Sequence, residues 1–133
     1  MKEITKDGVT LARLIEKEDI KPGLNFFSKD PEFIQVGVWG HYENGKYLQN
    51  HLHNKFDRTA NRTYEAVYMV KGSMDVEIFD LDKNPVDKFN IHTGEILILM
   101  ECGHGYTITE EDTTVLEIKN GPFAGVEKDK EKF

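Results

Sequence analysis

The residues with most to offer chemically in this chain are its five histidines and a few carboxylates placed near them. Two of the histidines form His51-Leu52-His53. In an extended strand, side chains two residues apart point to one face, so these imidazoles project together about 7 Å apart along the backbone. Two rings so placed can converge on one ion, and imidazole suits Zn, Fe, Ni and Cu. Further ligands must then come from elsewhere in the fold. His104, set in Gly103-His104-Gly105, is one candidate, and Glu65, a hard oxygen donor at the start of a strand-like run, is the other. Paired histidines also occur on polar surfaces, so His51-x-His53 alone is weak evidence for a metal. Cys102 lies two residues before His104 and is either a soft ligand or an incidental loop thiol. His41 and His92 fall in or near turns and read as exposed and unpaired.

Other groups could serve a ligand held near such an ion. Arg58-Thr59 and Arg62-Thr63 repeat one dipeptide in the polar stretch after the paired histidines. Each guanidinium is a planar fork for a carboxylate or phosphate, which makes Arg58 and Arg62 candidate substrate-binding residues. The simpler reading makes them surface residues paired with Asp57 or Glu43, and it is the favoured one. By alternation Tyr106 and Ile108 share a face with His104, so the Tyr106 hydroxyl either meets a substrate or packs in a core. Glu65, Tyr106 and Glu101 are the candidate proton carriers. Glu117 and Lys119 share the face opposite Leu116 and Ile118 and read best as a solvated stripe.

The elements that must position these groups are strands. Phe33 to Trp39 and Lys46 to His53 flank Glu43-Asn44-Gly45, an Asn-Gly hairpin signal. After the polar stretch come Tyr64 to Val70 and Met74 to Phe79, hinged at Lys71-Gly72-Ser73, and then Val86 to Ile91 and Glu95 to Met100. Tyr106 to Thr109 and Thr113 to Lys119 complete about eight short runs at close spacing, which predicts an all-β sandwich or barrel. Residues 1–30 fit a helical stripe and an alternating strand equally well, and are expected to form an N-terminal extension packed on a barrel of residues 31–126. Several runs are apolar on both faces: Val67 and Met69 on one side, Ala66, Tyr68 and Val70 on the other. The outer face is therefore expected to be covered, by the N-terminal segment or by a second subunit, and a homodimer is preferred. Residues 127–133 read as a charged, solvated tail.

Composition narrows the class of function. The 133 residues fit one domain, which at this size can bury an adequate core without disulfides, and the single cysteine cannot form one within the chain. A net charge of −7 repels polyphosphate, so nucleic acid is not an expected partner. No apolar run approaches the roughly 20 residues that cross a bilayer, and Met1-Lys2-Glu3-Ile4-Thr5-Lys6 has no secretory h-region, so the expectation is a cytoplasmic protein with no membrane partner.

Taken together, His51-x-His53, Glu65 followed by Gly72, and Gly94 leading to His104 resemble the two motifs of the cupin superfamily over roughly residues 46–120. The resemblance implies a double-stranded β-helix, or jelly-roll, barrel with a short N-terminal extension. It also implies a divalent metal ion (Fe, Mn, Ni or Zn) on His51, His53, Glu65 and His104. The implied function is a metal-dependent enzyme, an oxygenase or an isomerase or epimerase, acting on a small carboxylated or sugar-like molecule. The alternative is a non-catalytic cupin that binds a sugar or other small ligand. Three features depart from the family pattern. Eleven residues, Asn54 to Tyr64, separate His53 from Glu65 where the family has three or four. The second motif lacks the family's proline and its glycine three residues before His104. Ile108 replaces the family's asparagine.

Overall fold

The computed structural model describes residues 1–133. Ten strands run in chain order as β1 (Lys2–Lys6), β2 (Val9–Ile15), β3 (Gly23–Phe26), β4 (Gly37–Gly40), β5 (Glu65–Lys71), β6 (Ser73–Phe79), β7 (Pro85–His92), β8 (Ile96–Leu99), β9 (Gly103–Ile108) and β10 (Thr114–Lys119), followed by one helical turn, α1 (Val126–Asp129). All sheet pairings are antiparallel. A five-stranded sheet has the order β1-β2-β8-β5-β10, a three-stranded sheet the order β7-β6-β9, and β3 with β4 forms a separate ribbon. The all-β expectation holds, but the sheets do not close into a barrel. β9 and β10 are each left as edge strands with one unpaired side.

The two larger sheets face each other because the chain changes sheet at its glycine hinges. β5 ends in the first sheet and β6 begins in the other, with Gly72 at φ 86° between them. A side chain there would strike Thr113, so both the backbone angle and the space demand glycine. β7 returns to β8 through Thr93 and Gly94, the latter at φ 88°. Between β6 and β7 the Asp80 carboxylate accepts the amides of Asp82 (3.0 Å) and Asn84 (2.8 Å), which closes the turn and leaves Lys83 at φ 70°. Alternation then builds the core. Val67, Met69, Leu97 and Leu99 of the larger sheet meet Met74, Val76, Ile78 and Ile91 of the smaller one, all at most 2% exposed.

Residues 2–15 enter the larger sheet as two strands, β2 pairing directly with β8, so the helix-or-strand ambiguity there resolves to strand. The outer face of that sheet carries a second small core. Ile15, Ala66, Ile98, Met100 and Tyr64 pack beneath Ile34, with Phe27 and Val36 at its margin. Part of the cover expected from a second subunit thus comes from residues 27–36 of the same chain. Arg13 clamps this cover. Its guanidinium, 1% exposed, forks onto Glu32 at 2.6 and 2.7 Å, binds Glu3 at 2.7 Å and donates to the Phe27 carbonyl at 3.2 Å. Further along, the outer face is open. Tyr68, Ile96, Leu116 and Ile118 with Ile34 and Val36 line a groove of about 300 Å3.

The expected hairpin around Asn44-Gly45 is corrected. The turn forms, with the Lys46 amide 3.1 Å from the Glu43 carbonyl, but its arms do not pair. Gly37–Gly40 pairs backward with β3, and residues 46–53, expected as a strand, run exposed outside every sheet. A strand pattern needs a partner backbone, and here β4 pairs with β3 while no strand lies along residues 46–53. Residues 127–133 are also less free than a solvated tail. They include part of α1, and Phe133 packs edge-on against Phe79 with ring centroids 5.2 Å apart.

Removing Glu32 leaves the buried Arg13 guanidinium short of its bidentate partner. Glu32→Ala is expected to cost about 3 kcal/mol, whereas Lys88→Ala, which breaks the exposed pair with Glu77, costs less than about 1 kcal/mol. Urea-denaturation midpoints at unchanged m-value check both.

Candidate functional site

Pairing register decides which polar groups face inward. On β9, His104 stands opposite Ile78, Tyr106 opposite Val76 and Ile108 opposite Met74, so all three share the inner face. On β10, Lys119 stands opposite Glu65, Glu117 opposite Val67 and Val115 opposite Met69, and these face inward too. Because β9 and β10 are edge strands, the space between the sheets opens to solvent along them. Tyr106, Ile108, Val115 and Glu117 are all exposed there although they point toward the core side. Deeper in, three charged or ionisable groups converge at one end of this opening, from the start of β5, the start of β9 and the end of β10.

Glu65 is 4% exposed. Its Oε1 lies 2.7 Å from Lys119 Nζ, which also reaches Glu117 at 2.9 Å. Its Oε2 lies 3.2 Å from His104 Nε2 but accepts no aligned hydrogen bond. Burial works to raise the Glu65 pKa, yet the His104 ring and the Lys119 ammonium outweigh it and bring the carboxyl down to about 2. For Lys119 the sign is reversed: burial lowers its pKa, and the two carboxylates more than restore it, so the ammonium stays charged. The expected solvated stripe of Glu117 and Lys119 is therefore corrected for Lys119, which is half-buried and committed to Glu65.

Two polar atoms of this cluster, Glu65 Oε2 and His104 Nδ1, are buried without a hydrogen-bond partner. Such orphans are costly and uncommon in folded proteins, but only Oε2 faces the ring nitrogen Nε2, while Nδ1 lies on the other side of the imidazole. A divalent cation fits the Glu65–His104 pair. Two donors each about 2.1 Å from one ion stand roughly 3.0–3.4 Å apart at octahedral or tetrahedral angles. The 3.2 Å between Oε2 and Nε2 lies within that span.

His51 and His53 are elsewhere. They sit on the exposed stretch 46–53, with ring centroids 5.2 Å apart and His51 Nδ1 3.1 Å from the Gln49 carbonyl. No three His, Cys, Asp or Glu side chains gather closely enough to hold a metal in this arrangement. The structure thus joins two of the four implied ligands, because both lie on paired strands, and leaves the other two on unpaired backbone. Arg58 stacks over the Phe56 ring at 3.6 Å, and Arg62 pairs with Glu101 at 3.1 Å instead of with Asp57 or Glu43. That places Arg62 against Tyr64, whose hydroxyl also donates to Glu101 at 2.6 Å.

Tyr106 packs against His104 with ring centroids 5.3 Å apart. Tyr106 is 39% exposed, and the partial burial that remains, followed by the charge of Glu65, pushes its phenol up, so it keeps its proton at neutral pH and is a donor. The Cys102 thiol is pushed up to about 12, mainly by burial, which leaves it protonated and a poor soft ligand. His41 and His92 are exposed, as expected. Lys119 is the functional candidate that sequence reasoning set aside. Alternation did place it opposite Leu116 and Ile118, but only the pairing of β10 with β5 shows that its face is the inner one.

Comparison with family models, with curated proteins and with solved structures yields no match to this chain. The fold and the site therefore define the class by themselves: an all-β protein of facing antiparallel sheets with a buried carboxylate–imidazole–ammonium cluster at an open edge.

The low Glu65 pKa makes a stability prediction for metal-free protein. A carboxyl near 4.5 in the unfolded chain and about 2 when folded contributes stability that is full above pH 4.5 and is lost as pH falls toward 2. Glu65→Gln is expected to be less stable than the parent at pH 7, with the difference shrinking between about pH 5 and 2. Chelator-treated samples unfolded in urea across that range give the measurement.

Proposed function

We propose that this protein is a cupin-type jelly roll, open along β9 and β10, that holds a divalent metal ion and acts as a metal-dependent enzyme on a small carboxylated or sugar-like molecule. The observation that carries the reading is the Glu65–His104 pair, with ligand-like spacing between Nε2 and the unpartnered Oε2, at an opening between two sheets. Glu65 and His104 would hold the ion, and His51 and His53 would join them once residues 46–53 pair along the free edge of β9. Two further features support the reading. β9, which carries His104, has a free edge, and residues 46–53 have the alternation of a strand with no partner.

A bound divalent ion supplies a Lewis acid, with coordination positions left over for substrate. The chain's own residues supply the rest. Lys119 keeps the Glu65 carboxylate ionised and fixes one of its oxygens, which leaves the other facing the His104 ring. Tyr106 offers a hydroxyl proton on the same inner face as His104. Exposed Glu117 is a carboxylate close to Lys119 at the rim. The apolar inner faces of β5, β6 and β8 keep water from the deep side of the cluster. The same reading takes a homodimer, supported by the uncovered outer groove of Tyr68, Leu116 and Ile118. Light scattering is expected to give twice the chain mass at micromolar concentration, and a monomer at high concentration removes that part.

Elemental analysis and calorimetric titration with Mn2+, Fe2+, Ni2+ and Zn2+, on protein purified without a His tag, test the metal. A single ion per chain is expected, lost in Glu65→Ala and in His104→Ala and weakened in the His51→Ala, His53→Ala pair. Lys119→Met, which frees the supporting oxygen, should lower affinity by about 10–100-fold. Negligible metal in the parent, or retention unchanged in Glu65→Ala, overturns the reading.

A further inference from the structure

The ribbon of β3 and β4 pairs with no strand of the two larger sheets, yet one of its faces is apolar. Register sets Leu24 opposite Trp39 and Phe26 opposite Gly37, and residues opposite each other in an antiparallel pair share a face. Alternation puts Leu24 and Phe26 on the same side. Leu24, Phe26 and Trp39 thus stand together, 48%, 72% and 56% exposed, with Gly37 at the end of their face. The other face is the covered one: Asn25 donates to the Lys21 and Val38 carbonyls, and a Cβ on Gly40 would stand 3.2 Å from Ile20. An isolated two-stranded ribbon is marginally stable in water, and three large apolar side chains on its open face call for cover.

The groove on the outer face of the larger sheet lies beside this ridge. Gly37 belongs to its wall, and the Phe26 ring leans over the same residue, with Cδ1 3.4 Å from where a Cβ would stand. Ridge and groove are therefore parts of one apolar surface. With the half-exposed Tyr68, Leu116 and Ile118 it presents roughly 600 Å2 to solvent, the upper end for the largest patch of a monomer and near the ~800 Å2 that each partner buries in a stable interface. Its shape is self-complementary, because a two-fold axis between ridge and groove carries each ridge over the other copy's groove. No charged side chain lines the groove, so two chains of net charge −7 can meet there without like charges in contact. The ridge is also held in place. Residues 27–36, which join β3 to β4, include the Glu32 that Arg13 clamps, and this rigidity lowers the cost of ordering on association.

We propose that a second copy of this chain covers the outer face by ridge-into-groove packing. Phe26, flanked by Leu24 and Trp39, enters the other copy's groove against Tyr68, Leu116 and Ile118, and the groove of the first copy receives the second Phe26 in the same way. The proposal rests on the homodimer of the functional reading above and on none of its metal chemistry, so its test needs neither metal nor substrate.

Trp39 is the only tryptophan of the chain and stands on the ridge, so its fluorescence reads the contact directly. On metal-free, full-length protein, dilution through the dissociation followed by light scattering should move its emission to the red. Phe26→Asp and Ile118→Lys should each raise the dimer dissociation constant by about 100-fold or more at unchanged far-ultraviolet dichroism, since a few central apolar and aromatic contacts dominate such interfaces. Leu116→Lys is the second groove variant if Ile118→Lys does not fold. Mixed in equal amounts, the ridge variant and the groove variant should form a dimer again, because one native contact is restored and the introduced carboxylate meets the introduced ammonium at the other. Dimers of parent strength in both single variants, a mixture that stays monomeric, or Trp39 emission unchanged across the dissociation each overturn the packing and leave the homodimer standing. A monomeric parent overturns both, and a monomer whose Trp39 emission moves to the blue with dodecanoate gives the groove to an apolar small molecule instead.

Discussion

A carboxylate buried at the start of β5 cannot stay ionised without positive charge close by, and that constraint ties the two sheets together at their open end. Glu65 draws Lys119 from the neighbouring strand of its own sheet and His104 from the facing sheet. Elsewhere the sheets are held by non-directional apolar packing, which sets their spacing but tolerates small slides. The ionic cluster is directional. It fixes which end of the opening is polar and where β9 stands relative to β10.

The same arrangement explains why the site is chemically unfinished. Lys119 satisfies one Glu65 oxygen, while the other faces an imidazole without a hydrogen bond, and the far nitrogen of that imidazole is buried and unpaired. A purely structural ion-pair network would be expected to close on itself, as the Arg13–Glu32–Glu3 clamp on the outer face does. The contrast between these two buried charge clusters in one small protein is informative. The first locks a covering segment in place with every guanidinium nitrogen bonded, and the second leaves two buried polar atoms without partners.

Much of this was legible before any tertiary structure. Alternating runs with glycine hinges announced β5 to β10 nearly to the residue, because pleated strands impose a period of two and Gly72 and Gly94 mark where only positive φ will serve. The shared face of Val67 and Met69, and that of His104 and Tyr106, were readable in their spacing. The hairpin at Asn44-Gly45 was not, since turn chemistry is local but pairing depends on which backbone lies alongside in the fold, and beside β4 that is β3. Lys119 was visible as a residue on one face, yet alternation carries no information about which face is the inner one.

What the sequence determined by itself is thus the strand periodicity, the turns, the acidic charge balance and the candidate ligands, all properties set within a few residues of chain. What only the tertiary structure decided is partnership. It placed Lys119 on Glu65, Arg13 on Glu32, the C-terminal phenylalanine on Gly103, and left His51 and His53 on backbone with no neighbour. The physical reason is that each of these depends on contacts between residues tens of positions apart. Their free energy comes from burial and charge brought together by folding, which local pattern does not encode.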